Sequence, residues 1–148
     1  MSTTGVITLE EWRAQSKPSA RKSSRASAKP ASPLEAWEQK QVVRWMSSRG
    51  IELFSVPNEG RRSPGLANHM KALGMRHGVP DLIVITPPPA HPEMRLAIEM
   101  KRTDGSTADL TKHQIATHEA MARNGWTVWV CFGHEQTITR LKEVGYGP

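Results

Sequence analysis

The chain has 148 residues, 37% apolar and 23% charged, which is enough for one core and excludes a wholly disordered protein. Twenty Lys and Arg against fourteen Asp and Glu give a net charge of +6, which favours a polyanionic partner. The lone cysteine, Cys131, excludes an internal disulfide and a Cys-cluster zinc site. No apolar run approaches the ~20 residues of a membrane span, and none in the first 33 resembles a secretory leader, so a soluble cytoplasmic protein without a membrane partner is expected.

Thr8-Leu9-Glu10-Glu11 fits a capping box and predicts a short helix near the start. Residues 1–33 hold six basic and two acidic residues, a net +4, whereas residues 34–148 carry only +2. Between Ser16 and Ser32 there is no large apolar residue, so this stretch cannot offset the entropy of ordering. It reads as a basic, flexible arm: either a solvated linker or a non-specific phosphate-binding tail. A transit peptide is a third reading, opposed by Glu10 and Glu11. The division expected is therefore an arm, 1–33, and a folded domain, 34–148.

Ser32-Pro33-Leu34-Glu35 predicts a helix start, with Gly50 as the stop. On that helix Leu34, Glu38, Val42 and Trp45 share a face, which puts Glu38 on the apolar side. Ile51–Val56 reads as a strand, and Ser63-Pro64 opens a second helix that ends at Gly74. Val79–Ile85 reads as a buried strand and the proline-rich Thr86–Pro92 as a loop. Met94–Lys101 alternates: Met94, Leu96, Ile98 and Met100 face one way, Arg95, Ala97, Glu99 and Lys101 the other. A helix over about Thr111–Arg123, a strand over Trp126–Phe132 and a helix over about His134–Val144 follow. Trp37, Trp45, Trp126 and Trp129 have spacings that suit core packing. The order α β α β β α β α predicts an α/β fold built on a mixed sheet.

Three acids carry chemistry in this layout. Asp81 opens a buried strand, Glu99 lies on the next strand, and Glu38 sits on the inward side of the first helix. Lys101 follows Glu99 by two, so both side chains leave the same sheet face. Carboxylates at neighbouring strand ends can hold one hard cation, and a lysine beside them can orient a water bound to it. Phosphodiester hydrolysis needs these parts, together with a basic surface for the polyanion. The alternative for Glu99 and Lys101 is a plain cross-face ion pair, and for Asp81 a strand-end cap. His113 and His118 are five apart, which is not the spacing of a helical metal pair.

Gly78-Val79-Pro80-Asp81 followed by Glu99-Met100-Lys101 resembles the PD-(D/E)xK signature of restriction-endonuclease-like nucleases. With Leu110-Thr111-Lys112-His113-Gln114 the set is similar to the virus-type replication-repair nuclease (VRR-NUC) group, over about Glu35 to Phe132. The resemblance implies a restriction-endonuclease-like core, a central mixed β-sheet flanked by α-helices. It implies Asp81 and Glu99 as metal ligands, the Met100 carbonyl as a further one, and Glu38 completing the site. Glu35 and Glu59 are the substitutes if Glu38 is not the outer acid. Lys101 would position the nucleophilic water, and Gln114 would hold Lys101, the water or a phosphate.

The expected activity is Mg²⁺- or Mn²⁺-dependent hydrolysis of phosphodiester bonds in DNA. The resemblance favours branched or flapped DNA, a role in replication, repair or recombination, a homodimer, and a bacterial or phage-infected cell as the setting. Asn58, Arg61 and Arg62, in the turn after a strand, have guanidinium groups suited to phosphate oxygens, and Arg102 adjoins Lys101; these four are the expected DNA contacts. The rivals are a restriction-type endonuclease, for which the chain leaves little room for target recognition, and a non-catalytic nucleic-acid-binding protein. The latter has no use for a carboxylate pocket near phosphate.

Overall fold

The computed structural model describes residues 6–8, 10, 11, 14, 34–57, 62–105 and 109–148. The proposed arm between Ser16 and Ser32 lies outside them, as do Asn58, Glu59 and Arg61. The elements are β1 (Val6–Thr8), α1 (Glu35–Ser47), β2 (Leu53–Ser55), α2 (Pro64–Ala72), β3 (Leu82–Val84), β4 (Arg95–Lys101), α3 (Lys112–Arg123), β5 (Trp126–Phe132) and α4 (His134–Glu143).

They form an α/β fold with one mixed sheet in the order β1-β5-β4-β3-β2. β2, β3 and β4 are antiparallel neighbours, β4 and β5 are parallel, and β1 closes the far edge antiparallel to β5. A parallel pair needs a crossover, and α3 supplies it between β4 and β5. This is the restriction-endonuclease-like arrangement, a mixed sheet flanked by helices.

Alternation on the central strands divides the interior. Leu96, Ile98 and Met100 of β4 and Trp129 and Cys131 of β5 pack with Val42 and Met46 of α1 and Leu141 of α4. Val130 and Phe132, on the opposite face of β5, pack with Leu110 and with Ile115 of α3. The parallel register sets Glu99 beside Val130 and Lys101 beside Phe132. Both polar side chains therefore leave β4 on the face that α3 covers.

Local signals explain where the helices begin. Ser63 accepts a hydrogen bond from the Leu66 N–H at 3.3 Å, with Pro64 in the first helical position. At α3 Thr111 and Gln114 form a reciprocal capping box, each side chain bonding the other's backbone N–H. The box expected at Thr8 and Glu11 is also present, with bonds of 2.6 and 3.2 Å. The first long helix starts later than expected. Its N-cap is Leu34, which has no side-chain oxygen to offer, and Ser32 and Pro33 lie outside the described residues. Leu34 is 71% exposed rather than inward, because the buried stripe of α1 begins a turn further on with Glu38, Val42 and Met46. Trp37, expected in the core, is 46% exposed and sets its ring edge-on to His134.

Candidate active site

Asp81 is delivered by a tight approach between two segments. Gly78 has a φ of +84°, and a Cβ there would stand 2.3 Å from the His113 carbonyl carbon and oxygen. Only glycine lets this loop lie against the start of α3. The Thr117 hydroxyl adds a bond to the His77 carbonyl at 3.2 Å. The chain then turns at Asp81, just before β3, and Asp81 Oδ2 accepts the Met100 N–H at 2.8 Å. That bond sets Asp81 beside Glu99 on β4.

Glu99 and Lys101 are both buried, 1% and 9% exposed, and Lys101 Nζ stands 3.1 Å from Glu99 Oε1. The same oxygen accepts a short hydrogen bond from Gln114 Nε2 on α3. Gln114 thus caps its own helix with its carbonyl oxygen and holds Glu99 with its amide nitrogen. Its partner is Glu99, where the resemblance implied Lys101, a water or a phosphate.

The third carboxylate is Glu35. Glu35, Asp81 and Glu99 each present an oxygen, and these lie within 4.8 Å of one another. Glu35 reaches the group from the first turn of α1. The three line a cavity of about 250 Å³ with Gln114, and the rings of His77 and His113, 5.8 Å apart, flank it.

Glu38, expected to complete this group, makes its contacts elsewhere. Its Oε1 accepts from the Thr103 hydroxyl at 2.8 Å, and its Oε2 accepts the His134 N–H at 2.7 Å and lies 2.6 Å from His134 Nδ1. α4 opens with Gly133 as N-cap and no side-chain cap of its own, so Glu38 supplies the missing anion from α1. A carboxylate on the apolar side of a helix needs a partner, and this one finds it at a helix N-terminus. Burial pushes the Glu38 carboxyl up, but the His134 and Thr103 bonds outweigh it and hold it below its ordinary value.

Two of the expected DNA contacts are engaged within the protein. Arg102 grips Asp104 with two guanidinium nitrogens at 3.1 and 3.4 Å. Arg62 reaches the Pro57 carbonyl at 3.4 Å and Met75 Sδ at 3.3 Å. Asn58 and Arg61 lie outside the described residues.

Negative charge dominates the cavity. Asp81 is pushed up to about 7, by burial first and then by Glu99 and Glu35, while the Met100 N–H and Lys101 pull the other way. Burial pushes Lys101 down, but Glu99, Glu35 and Asp81 more than reverse this and raise it. The lysine stays charged and the acids remain under-compensated. Three hard oxygen donors suit a magnesium- or manganese-type cation, and bonds of ~2.0–2.6 Å span oxygens up to ~4–5 Å apart. The residues present therefore fit such an ion.

A mixed sheet that brings Asp81, just before one strand, and Glu99, on the next, to one cavity with Glu35 from the first helix of the core, and sets Lys101 against Glu99, has the parts of a PD-(D/E)xK-type nuclease. Residues 34–135, more than half the chain, match the family model of the VRR-NUC domain, and the chain belongs to that family. Membership implies a nuclease with DNA as substrate. No curated protein and no solved structure matches the chain.

Sequence reasoning named Glu35 only as a substitute and gave His118 no role. Both had a visible signal. Glu35 lies one turn before Glu38, and His118 lies four residues after Gln114, on the same helical face.

Proposed function

We propose that this protein is a divalent-cation-dependent endonuclease that hydrolyses phosphodiester bonds in branched or flapped DNA during replication, repair or recombination. The observation that carries the reading is the convergence of Glu35, Asp81 and Glu99 within 4.8 Å, with Lys101 at 3.1 Å from Glu99. A protein that only binds nucleic acid would gain nothing from three acids facing phosphate.

Glu35, Asp81 and Glu99 would hold the cation, with the Met100 carbonyl as a further ligand. When bound, the cation supplies Lewis acidity toward a phosphate oxygen and a water acidified near neutral pH. Lys101 keeps its proton, orients the attacking water by donating to it, and offsets negative charge as the phosphate becomes more anionic. Gln114 donates to the same oxygen of Glu99 that pairs with Lys101 and so fixes the carboxylate. A homodimer would place two such sites on the two strands of a junction, and the basic residues between Ser16 and Ser32, which follow β1 of the sheet, would tether DNA beside the nuclease domain.

The test is cleavage of labelled flap, fork, four-way junction and linear duplex DNA with Mg²⁺ or Mn²⁺. Cleavage is expected to favour the branched substrates and to stop with chelator. Asp81→Asn should lose both cleavage and cation affinity, whereas Lys101→Ala should lose cleavage and keep cation affinity. If both variants cut at the wild-type rate, the acids and the lysine are structural.

A further inference from the structure

Glu99 is held unequally. Its Oε1 takes Gln114 Nε2 and Lys101 Nζ. Its Oε2 is buried and has no hydrogen-bond partner among the described residues. Facing that oxygen, 3.6 Å away, is Nε2 of His118. His118 is 0% exposed, and neither ring nitrogen has a hydrogen-bond partner among the described residues.

Packing alone does not account for this histidine. A buried polar atom left unpaired destabilises the fold, and a leucine or phenylalanine would fill the space without that cost. The 3.6 Å gap is ion-pair range but longer than the ~2.7–3.2 Å of an N–H···O bond. Two unpaired atoms of complementary type therefore face each other just short of bonding. Gln114 and His118 are four residues apart on α3, so one helical face presents a donor to each oxygen of the same carboxylate.

We propose that His118 is a positioning residue for Glu99. Its Nε2–H donates to the inner oxygen when the carboxylate takes a divalent cation, and α3 then clamps Glu99 from both sides. The inference rests on the cation-dependent nuclease reading above. Donors behind a metal-binding carboxylate fix its orientation and basicity, and their loss weakens metal binding without touching the substrate.

The experiment is calorimetric titration of the full chain with Mn²⁺, without DNA. His118→Leu keeps the bulk and removes the donor; its Mn²⁺ affinity should fall about 10- to 100-fold. His118→Gln places an amide nitrogen near the Nε2 position and should stay within about a factor of 3 of wild type. DNA binding measured in chelator should be the same for all three, since His118 is out of reach of substrate. If the leucine variant does not fold, His118→Asn decides in its place. Its amide stops at the Nδ1 position, so on the proposal its Mn²⁺ affinity falls. Wild-type affinity in the leucine or asparagine variant, or a glutamine variant as weak as the leucine one, overturns the role of His118. A wild-type chain that neither binds Mn²⁺ nor cuts DNA overturns instead the nuclease reading on which it rests.

Discussion

Glu35 and Glu38, one helical turn apart, serve different ends. Glu35 joins the acidic group at the cavity, while Glu38 ties α1 to the start of α4 and to Thr103. Their amides should separate the two roles. Glu35→Gln is expected to weaken Mn²⁺ binding and cleavage at least tenfold with little change in melting temperature. Glu38→Gln is expected to lose about 1.5–3 kcal/mol of stability, the range for hydrogen bonds to a charged group, while its cation affinity holds. Calorimetric titration and thermal melts of the two variants check this. Asp81 allows a test with a definite sign. Its folded value of about 7 lies above the ordinary 3.8, so unfolding releases its proton more readily in that interval. The contribution of this group is intact below about pH 4 and is lost as pH rises through about 7. In chelator, Asp81→Asn should therefore melt at a higher temperature than wild type at pH 8 and show no advantage at pH 4. The same substitution abolishes cleavage, so stability and activity move in opposite directions. Equal pH dependence in the two proteins would show that Asp81 is not strained by its neighbours.

α3 decides how Glu99 is held. Its capping box sets Gln114 at N3, and the next turn on that face presents His118. What seats the helix is the backbone contact at Gly78, where the loop bearing Asp81 meets His113 and Gln114. Gly78→Ala must push a Cβ into main-chain atoms at a φ of +84°, so the loop and the helix start have to part. The expected cost is about 1–3 kcal/mol in stability. Cleavage should fall further, by about 100-fold, because a displacement near 1 Å is enough to misplace reacting groups. Melting curves and kcat for this variant check the two effects separately. Wild-type kcat would mean that the seat of α3 does not govern the site. The strand elements were legible from alternation: β4 shows the two faces read from Met94 to Lys101. β2 and β3 are shorter than the runs Ile51–Val56 and Val79–Ile85 that contain them, although backbone bonds from Val56 to Asp81 and from Ile85 to Glu52 continue the contact at either end.

Charge at the scale of the whole chain is concentrated before residue 34, where the net is +4 of the total +6. If the basic residues that follow β1 act as a tether, neutralising Lys17, Arg21, Lys22, Arg25 and Lys29 while keeping β1 on the edge of the sheet should weaken DNA binding and flatten its dependence on salt, since fewer counterions are released. Turnover of bound substrate should change little. Affinities measured across a salt series, with single-turnover rates at saturation, would show it. An unchanged affinity and salt slope would make the arm an inert linker. Among the described residues, no helix is long and apolar enough to cross a membrane.

The class of fold, the order of elements from residue 34 onward and the pairing of Asp81 with Glu99 and Lys101 were all readable from the amino-acid order. These follow from local rules: period-2 alternation sets which side chains share a sheet face, and caps and glycines set where helices stop and start. Family membership was legible too, because the Gly-x-Pro-Asp, Glu-x-Lys and Leu-x-Lys-x-Gln stretches stand in chain order on the expected elements. Which acid of α1 meets the pair depends on how the layers pack. Glu35 and Glu38 are neighbours on the helix surface, and periodicity favoured Glu38 because it faces inward. Inward for α1 also means toward the N-terminus of α4, whose unsatisfied backbone N–H and His134 claim that carboxylate first. Likewise the role of Gln114 and the placement of His118 depend on how α3 crosses from β4 to β5 over the face bearing Glu99. Contacts across 15 to 96 positions of sequence are set by the packing of layers, which no local pattern encodes.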